Sequence, residues 1–189
     1  MNTLFDEQDN LPEGFRYYPN FITVEEERFL GEVIHNTELH NMMFQGFEAK
    51  RKVASFGVDF NFETRKSTKG RDIPAAFFPL IDKVAKHISI AANEFEEVLL
   101  TEYPPGAVIN WHRDAPPFDL IAGVSLLTDC IFKLRPHDKA LQNRKAIISL
   151  PVQSRSLYII EGTARSDWQH SIAPVTQTRY SITLRTMRK

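Results

Sequence analysis

The chain has one cysteine in 189 residues, Cys130, so a disulfide framework within it is excluded. That usage fits a reducing, cytoplasmic setting. Long apolar runs are also lacking, and no segment reads as a bilayer span. The opening residues, Met1-Asn2-Thr3-Leu4-Phe5-Asp6-Glu7, have neither the basic nor the apolar region of a secretory signal. Charge of one sign is not in excess: 23 Lys and Arg stand against 24 Asp and Glu, for a net charge of −1. No global field therefore draws the chain to a polyanion or a membrane surface. Repeats, low-complexity tracts and linkers are missing. What is present is ordinary globular composition, 42% hydrophobic and 25% charged, in a chain long enough for a real core.

Local charge is less even than the total. Residues 48–72 hold Lys50, Arg51, Lys52, Arg65, Lys66, Lys69 and Arg71 against Glu48, Asp59, Glu63 and Asp72. Both a phosphate-holding patch and plain solvated charge are compatible with that stretch. Cys130 sits in the apolar stretch 126–132 and reads as a small core residue.

The order of elements predicts an α+β fold. Residues 1–14 read as a loose leader and 15–189 as one domain. A short strand over 15–22 precedes a helix capped by Thr23, with Glu25, Glu26 and Glu27 in its first turn and Phe29, Leu30, Val33 and Ile34 along it. Residues 52–60 read as a strand or hairpin arm and 61–72 as loop. A second helix over about 75–92 carries Phe78, Ile81, Val84, Ala85 and Ile88 at helical spacing. Strand-like segments then follow at 98–103, 108–114, 121–127, 130–134, 145–150, 156–160 and 180–185. Many strands after two helices predict an antiparallel jelly-roll core with the helices packed on one face.

Two constellations carry chemistry. His112 and Asp114 are two residues apart, and on a strand positions i and i+2 share a face. The pair closes a strand that follows the Pro104-Pro105-Gly106 turn and stops at Ala115-Pro116-Pro117. His170, between Trp168 and Ile172 on a later strand, is taken as the third ligand. His35, His40, His87 and His137 lie in helical or loop contexts. Two imidazoles and one carboxylate with open positions suit non-haem Fe(II) and oxygen chemistry. In the second constellation Arg179, Ser181, Thr183 and Arg185 alternate along one strand face. Two guanidinium groups on an inner face are costly unless an anion satisfies them. A dicarboxylate would do so through paired, charge-assisted hydrogen bonds, whereas Asp114 or Asp119 could neutralise one of the two.

Together, His112-x-Asp114, His170 and Arg179-x-Ser181-x-Thr183-x-Arg185 resemble the AlkB family of Fe(II)- and 2-oxoglutarate-dependent dioxygenases. Tyr103-Pro104-Pro105-Gly106-Ala107 adds the family's tyrosine and Pro-Gly turn. The resemblance runs from about residue 14 to the C-terminus. It implies a double-stranded β-helix with Fe(II) on His112, Asp114 and His170. It also implies 2-oxoglutarate on Tyr103 and Arg179, with Arg185 near its keto-acid end, Ser181 and Thr101 close by, and O2 as the oxidant. The implied reaction converts 2-oxoglutarate to succinate and dealkylates an N-methylated nucleobase in DNA or RNA, releasing formaldehyde.

The sequence departs from the family pattern twice. Thr101 stands where many members have asparagine. Pro116 stands where the bacterial repair enzyme has a second, base-contacting aspartate. A protein or a modified tRNA base is therefore the alternative substrate. Residues of about 42–72 resemble the family's nucleotide-recognition lid. In it, Arg51 and Lys52 would hold phosphate and Phe44, Phe56 or Phe60 would stack on a base. Nucleic acid is the expected partner, with no membrane and no obligate protein partner.

Overall fold

The strand-rich second half of the chain folds into two antiparallel sheets in the computed structural model, which describes residues 11–44, 47–61, 64 and 66–189. The side chains of Met43, Phe44, Phe47 and Asn61 are not described, so the stacking expectation for Phe44 lies outside the described residues, as do residues 1–10 of the leader and Arg65.

The chain runs β1 (Phe15–Tyr18), α1 (Val24–His35), β2 (His40–Phe44), β3 (Phe47–Asn61), β4 (Lys66–Lys69), α2 (Phe78–Ile88), β5 (Phe95–Tyr103) and β6 (Ile109–His112). There follow β7 (Phe118–Leu126), β8 (Cys130–Pro136), β9 (Ile148–Val152), β10 (Leu157–Ile160), α3 (Gly162–Ser166), β11 (Trp168–Ile172) and β12 (Arg179–Met187). The larger sheet has the order β1-β10-β7-β12-β5-β3-β2, with β4 paired to β3. The smaller has the order β6-β11-β8-β9. This is the jelly-roll arrangement expected, with no helix long and apolar enough to cross a membrane among the described residues.

Alternation along β7 and β12 sends successive side chains to opposite faces, and each face has its own core. On one side, Ala122, Val124, Ile182 and Leu184 join Leu30 and Ile34 of α1 and Leu80, Ile81, Val84 and Ala85 of α2. Burying each such aliphatic side chain contributes roughly 2 kcal/mol. On the other side, Ile121 joins Phe132, Leu134, Leu150, Val152 and Cys130 of the smaller sheet. Between the two sheets, then, is where inward-facing residues of β5, β6, β11 and β12 meet.

Local signals explain the helix ends. Thr23 accepts from the Glu26 backbone N–H while the Glu26 carboxylate accepts from the Thr23 N–H, a reciprocal cap. Phe29 and Phe78, expected on apolar helix faces, are instead each about half exposed. Helix α2 is shorter than expected because Ser89 turns left-handed at its end, with φ of 60°. Residues 61–72 are not all loop: β4 forms there, pairing Val58 with Lys69 and Asn61 with Lys66. The crossing is made at Gly57, whose φ of 86° is left-handed and whose N–H and C=O bond to Arg71 and Gly70. A side chain there would collide with the Glu96 carbonyl.

Candidate metal and co-substrate site

The facing strands of the smaller sheet bring the histidines together. His112 on β6 is the register partner of His170 on β11. Their ring centroids lie 4.2 Å apart. Asp114 completes the group: its Oδ1 is 3.9 Å from His112 Nε2. One donor atom from each of the three residues lies within 4.8 Å of the others, a span one cation can bridge. His170 sits on an interior strand, since β11 lies between β6 and β8. Its ring stacks on Phe132 with centroids 5.3 Å apart, which fixes its plane.

Asp114 also departs from expectation. It lies two residues past the end of β6, so the same-face rule for strands does not place it. Pro116 and Pro117 offer no N–H and end the pairing. What places Asp114 is Arg165, a residue the sequence reading did not single out. Its side chain is buried, and one guanidinium nitrogen donates to the carbonyls of Asp114, Ala115 and Phe118 at 3.1, 2.7 and 2.9 Å. Arg165 rides on α3, a single short turn of helix that no periodicity in the sequence announces.

The electrostatics suit a cation. His112 Nδ1 lies 2.8 Å from the Asn110 carbonyl, so that nitrogen donates and Nε2 is left as the free lone pair. Burial pushes the His170 imidazole down to about 3, with His112 adding to the effect, so it is neutral at physiological pH. Burial alone would raise the Asp114 carboxyl. Arg185 and the two histidines outweigh it and hold the group far below the usual carboxylate range. Two neutral imidazoles and a fixed carboxylate are the protonation states a metal ion needs.

Beside this group, β12 presents its alternating face. Arg179 pairs in register with Tyr103, and Ser181 with Thr101 on one side and Ser125 on the other. Arg179 is completely buried. Its Nε donates to Ser125 Oγ at 3.0 Å, while both terminal nitrogens are buried without a hydrogen-bond partner. Tyr103, itself buried, lies under the guanidinium, 4.9 Å from ring centre to Cζ. Across the space Tyr158 packs against Gly123, where any side chain would strike its ring. A buried guanidinium fork without a protein acceptor on its terminal nitrogens is suited to one carboxylate.

Arg185 differs from Arg179. Its Nη1 meets Glu97 at 2.6 Å and its Nη2 meets Asp114 at 3.4 Å. The expectation that both arginines await a diacid is thus corrected: one is already neutralised by protein carboxylates, Asp114 being one of them. Glu97 was missed because two acids in a row at 96 and 97 look like surface charge. Only the register of β5 against β12, which pairs Glu97 with Arg185, turns it inward.

The expected substrate residues separate. Arg51 lies on the face of β3 toward the site, where its charge acts on Tyr103 and His112 and its guanidinium meets Met42 Sδ at 2.8 Å. Lys52, one residue on, points the other way and pairs with Glu102 at 3.2 Å. Phe56 belongs to the helix-side core, 6.4 Å from the Phe77 ring, so the structure does not bring it to the site. Phe60 lies edge-on to Phe118, 6.4 Å away, and Phe118 carries the Arg185 guanidinium on its other contact.

Comparison with known proteins agrees with this geometry. Residues 14–188 match the 2OG-Fe(II) oxygenase superfamily. Among curated relatives, the chain is 26% identical over 191 residues to an Arabidopsis thaliana protein named as an alkylated DNA repair protein ALKBH8 homolog, covering 90% of this chain and 53% of that one. It is 28% identical over 172 residues to the mouse tRNA (carboxymethyluridine(34)-5-O)-methyltransferase ALKBH8, covering 87% of this chain and 25% of the relative. The chain thus spans about half the length of the first of these relatives and a quarter of the second. Among solved structures, OsALKBH1 superposes with a TM-score of 0.70 at 12% identity, over 93% of this chain and 98% of that one. A Pseudomonas putida prolyl-4-hydroxylase superposes with a TM-score of 0.65 at 14% identity, over 93% of each chain. These two likenesses are of fold.

Proposed function

The chain belongs to the 2OG-Fe(II) oxygenase superfamily as an AlkB-like member, and we propose that it removes alkyl groups oxidatively from nucleobases in DNA or RNA. It is a dioxygenase whose cofactors are Fe(II), 2-oxoglutarate and O2. The observation that carries the reading is the buried, unpaired fork of Arg179 opening beside the His112–Asp114–His170 group. Two buried guanidinium nitrogens side by side with no protein acceptor can be satisfied by the two oxygens of one bound carboxylate.

In this reading His112 Nε2, an Asp114 oxygen and a His170 nitrogen hold Fe(II). Arg179 and the Tyr103 hydroxyl hold the distal carboxylate of 2-oxoglutarate, with Ser181 and Thr101 lining its path. Bound together, the metal, 2-oxoglutarate and O2 supply oxidation of a substrate C–H bond, with succinate and CO2 as co-products. The remaining work falls to the chain. Asn110 fixes the His112 tautomer, Arg165 holds the Asp114 backbone, and the buried ring of Phe132, packed on Tyr158, backs the His170 imidazole. An N-methyl carbon that gains a hydroxyl leaves as formaldehyde, and the nitrogen regains its proton.

Arg51 at the mouth and Phe60 near Phe118 supply a cation for phosphate and a ring for a base. The curated relatives' names, one of DNA repair and one of tRNA, favour nucleic acid as the class. The tRNA name also favours a second reading, in which the oxygenase acts on a modified tRNA base.

The test is incubation with Fe(II) and 2-oxoglutarate against methylated DNA, methylated RNA, bulk tRNA and a peptide pool. Succinate formed in step with formaldehyde from DNA or RNA is the expected result. Turnover confined to bulk tRNA selects the second reading. Turnover confined to peptides overturns both.

A further inference from the structure

Glu97 has no place in the chemistry above, yet it is 4% exposed and stands within the site. Its Oε2 accepts from Arg185 Nη1 at 2.6 Å, and its Oε1 accepts from the Ser55 hydroxyl at 3.1 Å. Arg185 reaches Asp114 Oδ1 at the longer distance of 3.4 Å, and its Nε is buried without a partner. Ser55 is on β3, Glu97 on β5 and Arg185 on β12, so one line of polar contacts joins three adjacent strands to Asp114.

We propose that Glu97 is a charge-balancing positioning residue: it holds Arg185 back from Asp114, and so keeps that carboxylate free for a divalent cation. The inference rests on the metal reading of His112, Asp114 and His170. Guanidinium and metal compete for the same carboxylate. Arg185 held by Glu97 orients Asp114 without capturing it. With Glu97 neutral, Asp114 becomes the only carboxylate paired with Arg185 among the described residues, and the guanidinium closes on it.

Charge counting gives the same answer. Within the buried site Glu97 and Asp114 both face Arg185, while Arg179 has no carboxylate partner and Arg165 is buried against the Asp114 backbone. A divalent cation and a dicarboxylate then enter as a cancelling pair. Neutralising Glu97 makes the buried site one unit more positive in low dielectric, which disfavours the cation and favours the dianion. Opposite shifts for the two ligands are something a merely structural residue does not produce.

The experiment measures Mn(II) binding to the metal-free full chain, and separately binding of 2-oxoglutarate, in wild type, Glu97→Gln and Glu97→Gln/Arg185→Gln. Glutamine keeps the shape and the Ser55 hydrogen bond, and a thermal melt of each variant reports folding. The expected result for Glu97→Gln is Mn(II) affinity weaker by at least about tenfold, the strongly screened lower end for one added charge at short range, with 2-oxoglutarate binding unchanged or tighter. The double variant, with the wild-type net charge restored, recovers Mn(II) affinity. Mn(II) affinity unchanged in Glu97→Gln, or weakened equally in both variants, overturns the inference while leaving the metal site standing. No Mn(II) bound by wild type overturns the metal reading and this inference with it.

Discussion

Arg179 and Tyr103 face each other across β12 and β5 in direct register, with the guanidinium carbon 4.9 Å from the centre of the phenol ring. The arrangement leaves a fully buried cation with two idle donors, and its consequence is measurable. Arg179→Met removes a charge that is uncompensated until a ligand arrives. The metal-free, ligand-free variant should melt no lower than wild type, because an isosteric apolar group relieves a desolvation cost. Two charge-assisted hydrogen bonds at about 1.5 kcal/mol each correspond to roughly a hundredfold in affinity, so the rise in melting temperature that 2-oxoglutarate gives the wild type should vanish. Arg179→Lys should not restore it, since a point charge lacks the fork.

Arg165 should matter for the metal without touching it. Arg165→Met removes three hydrogen bonds to backbone carbonyls around Asp114. A loss of about 3 kcal/mol in stability is expected from breaking charge-assisted bonds in a buried position. Chemical denaturation measures that loss. Metal titration at a temperature where the variant is folded should show weaker binding, because the segment carrying Asp114 is no longer pinned.

The acid limb of stability follows from His170. Its folded value, about 3, lies below the ordinary histidine value of 6.5. The unfolded chain therefore takes up a proton in the window between them while the folded chain does not. Stability of the metal-free protein is full above about 6.5 and falls as pH drops from there toward 3. His170→Gln should flatten that slope, as read from denaturation midpoints between pH 7 and 4. Asp114 acts in the same direction further into acid: its depressed value keeps it ionised in the folded chain while the unfolded chain takes up the proton.

Arg51 and Lys52 provide an internal comparison one residue apart. Arg51 points to the site, and burial pushes its guanidinium down even as Tyr103 opposes the shift. Lys52 is spent on Glu102 on the other face. Arg51→Ala should raise the KM for an oligonucleotide several-fold and reduce its salt dependence by about one phosphate contact. The KM for 2-oxoglutarate should stay unchanged. Lys52→Ala should leave both near wild type.

Much of this was legible in the sequence, for definite reasons. Alternation of Arg179, Ser181, Thr183 and Arg185 reports a strand face directly, and Thr23 with Glu26 reports a helix start. His112 and His170 were visible as residue types in strand contexts. Their pairing in register was not, because register between segments 58 positions apart is a property of the folded sheet. The same limit hid Glu97, whose inward turn depends on facing Arg185. It hid Arg165, which acts through backbone carbonyls and has no spacing signature. Phe56 misled for a related reason: an aromatic at alternating spacing does not declare which side of its sheet holds the helices. Residues 61–72 misled through composition, since β4 is polar along its whole length and exposed.

The most direct measurement is a structure of the protein with Mn(II) and 2-oxoglutarate bound. The account predicts one ion held jointly by His112, Asp114 and His170, and a distal carboxylate on the two terminal nitrogens of Arg179. An ion bound elsewhere, or those nitrogens still unpaired with 2-oxoglutarate in the crystal, would contradict it.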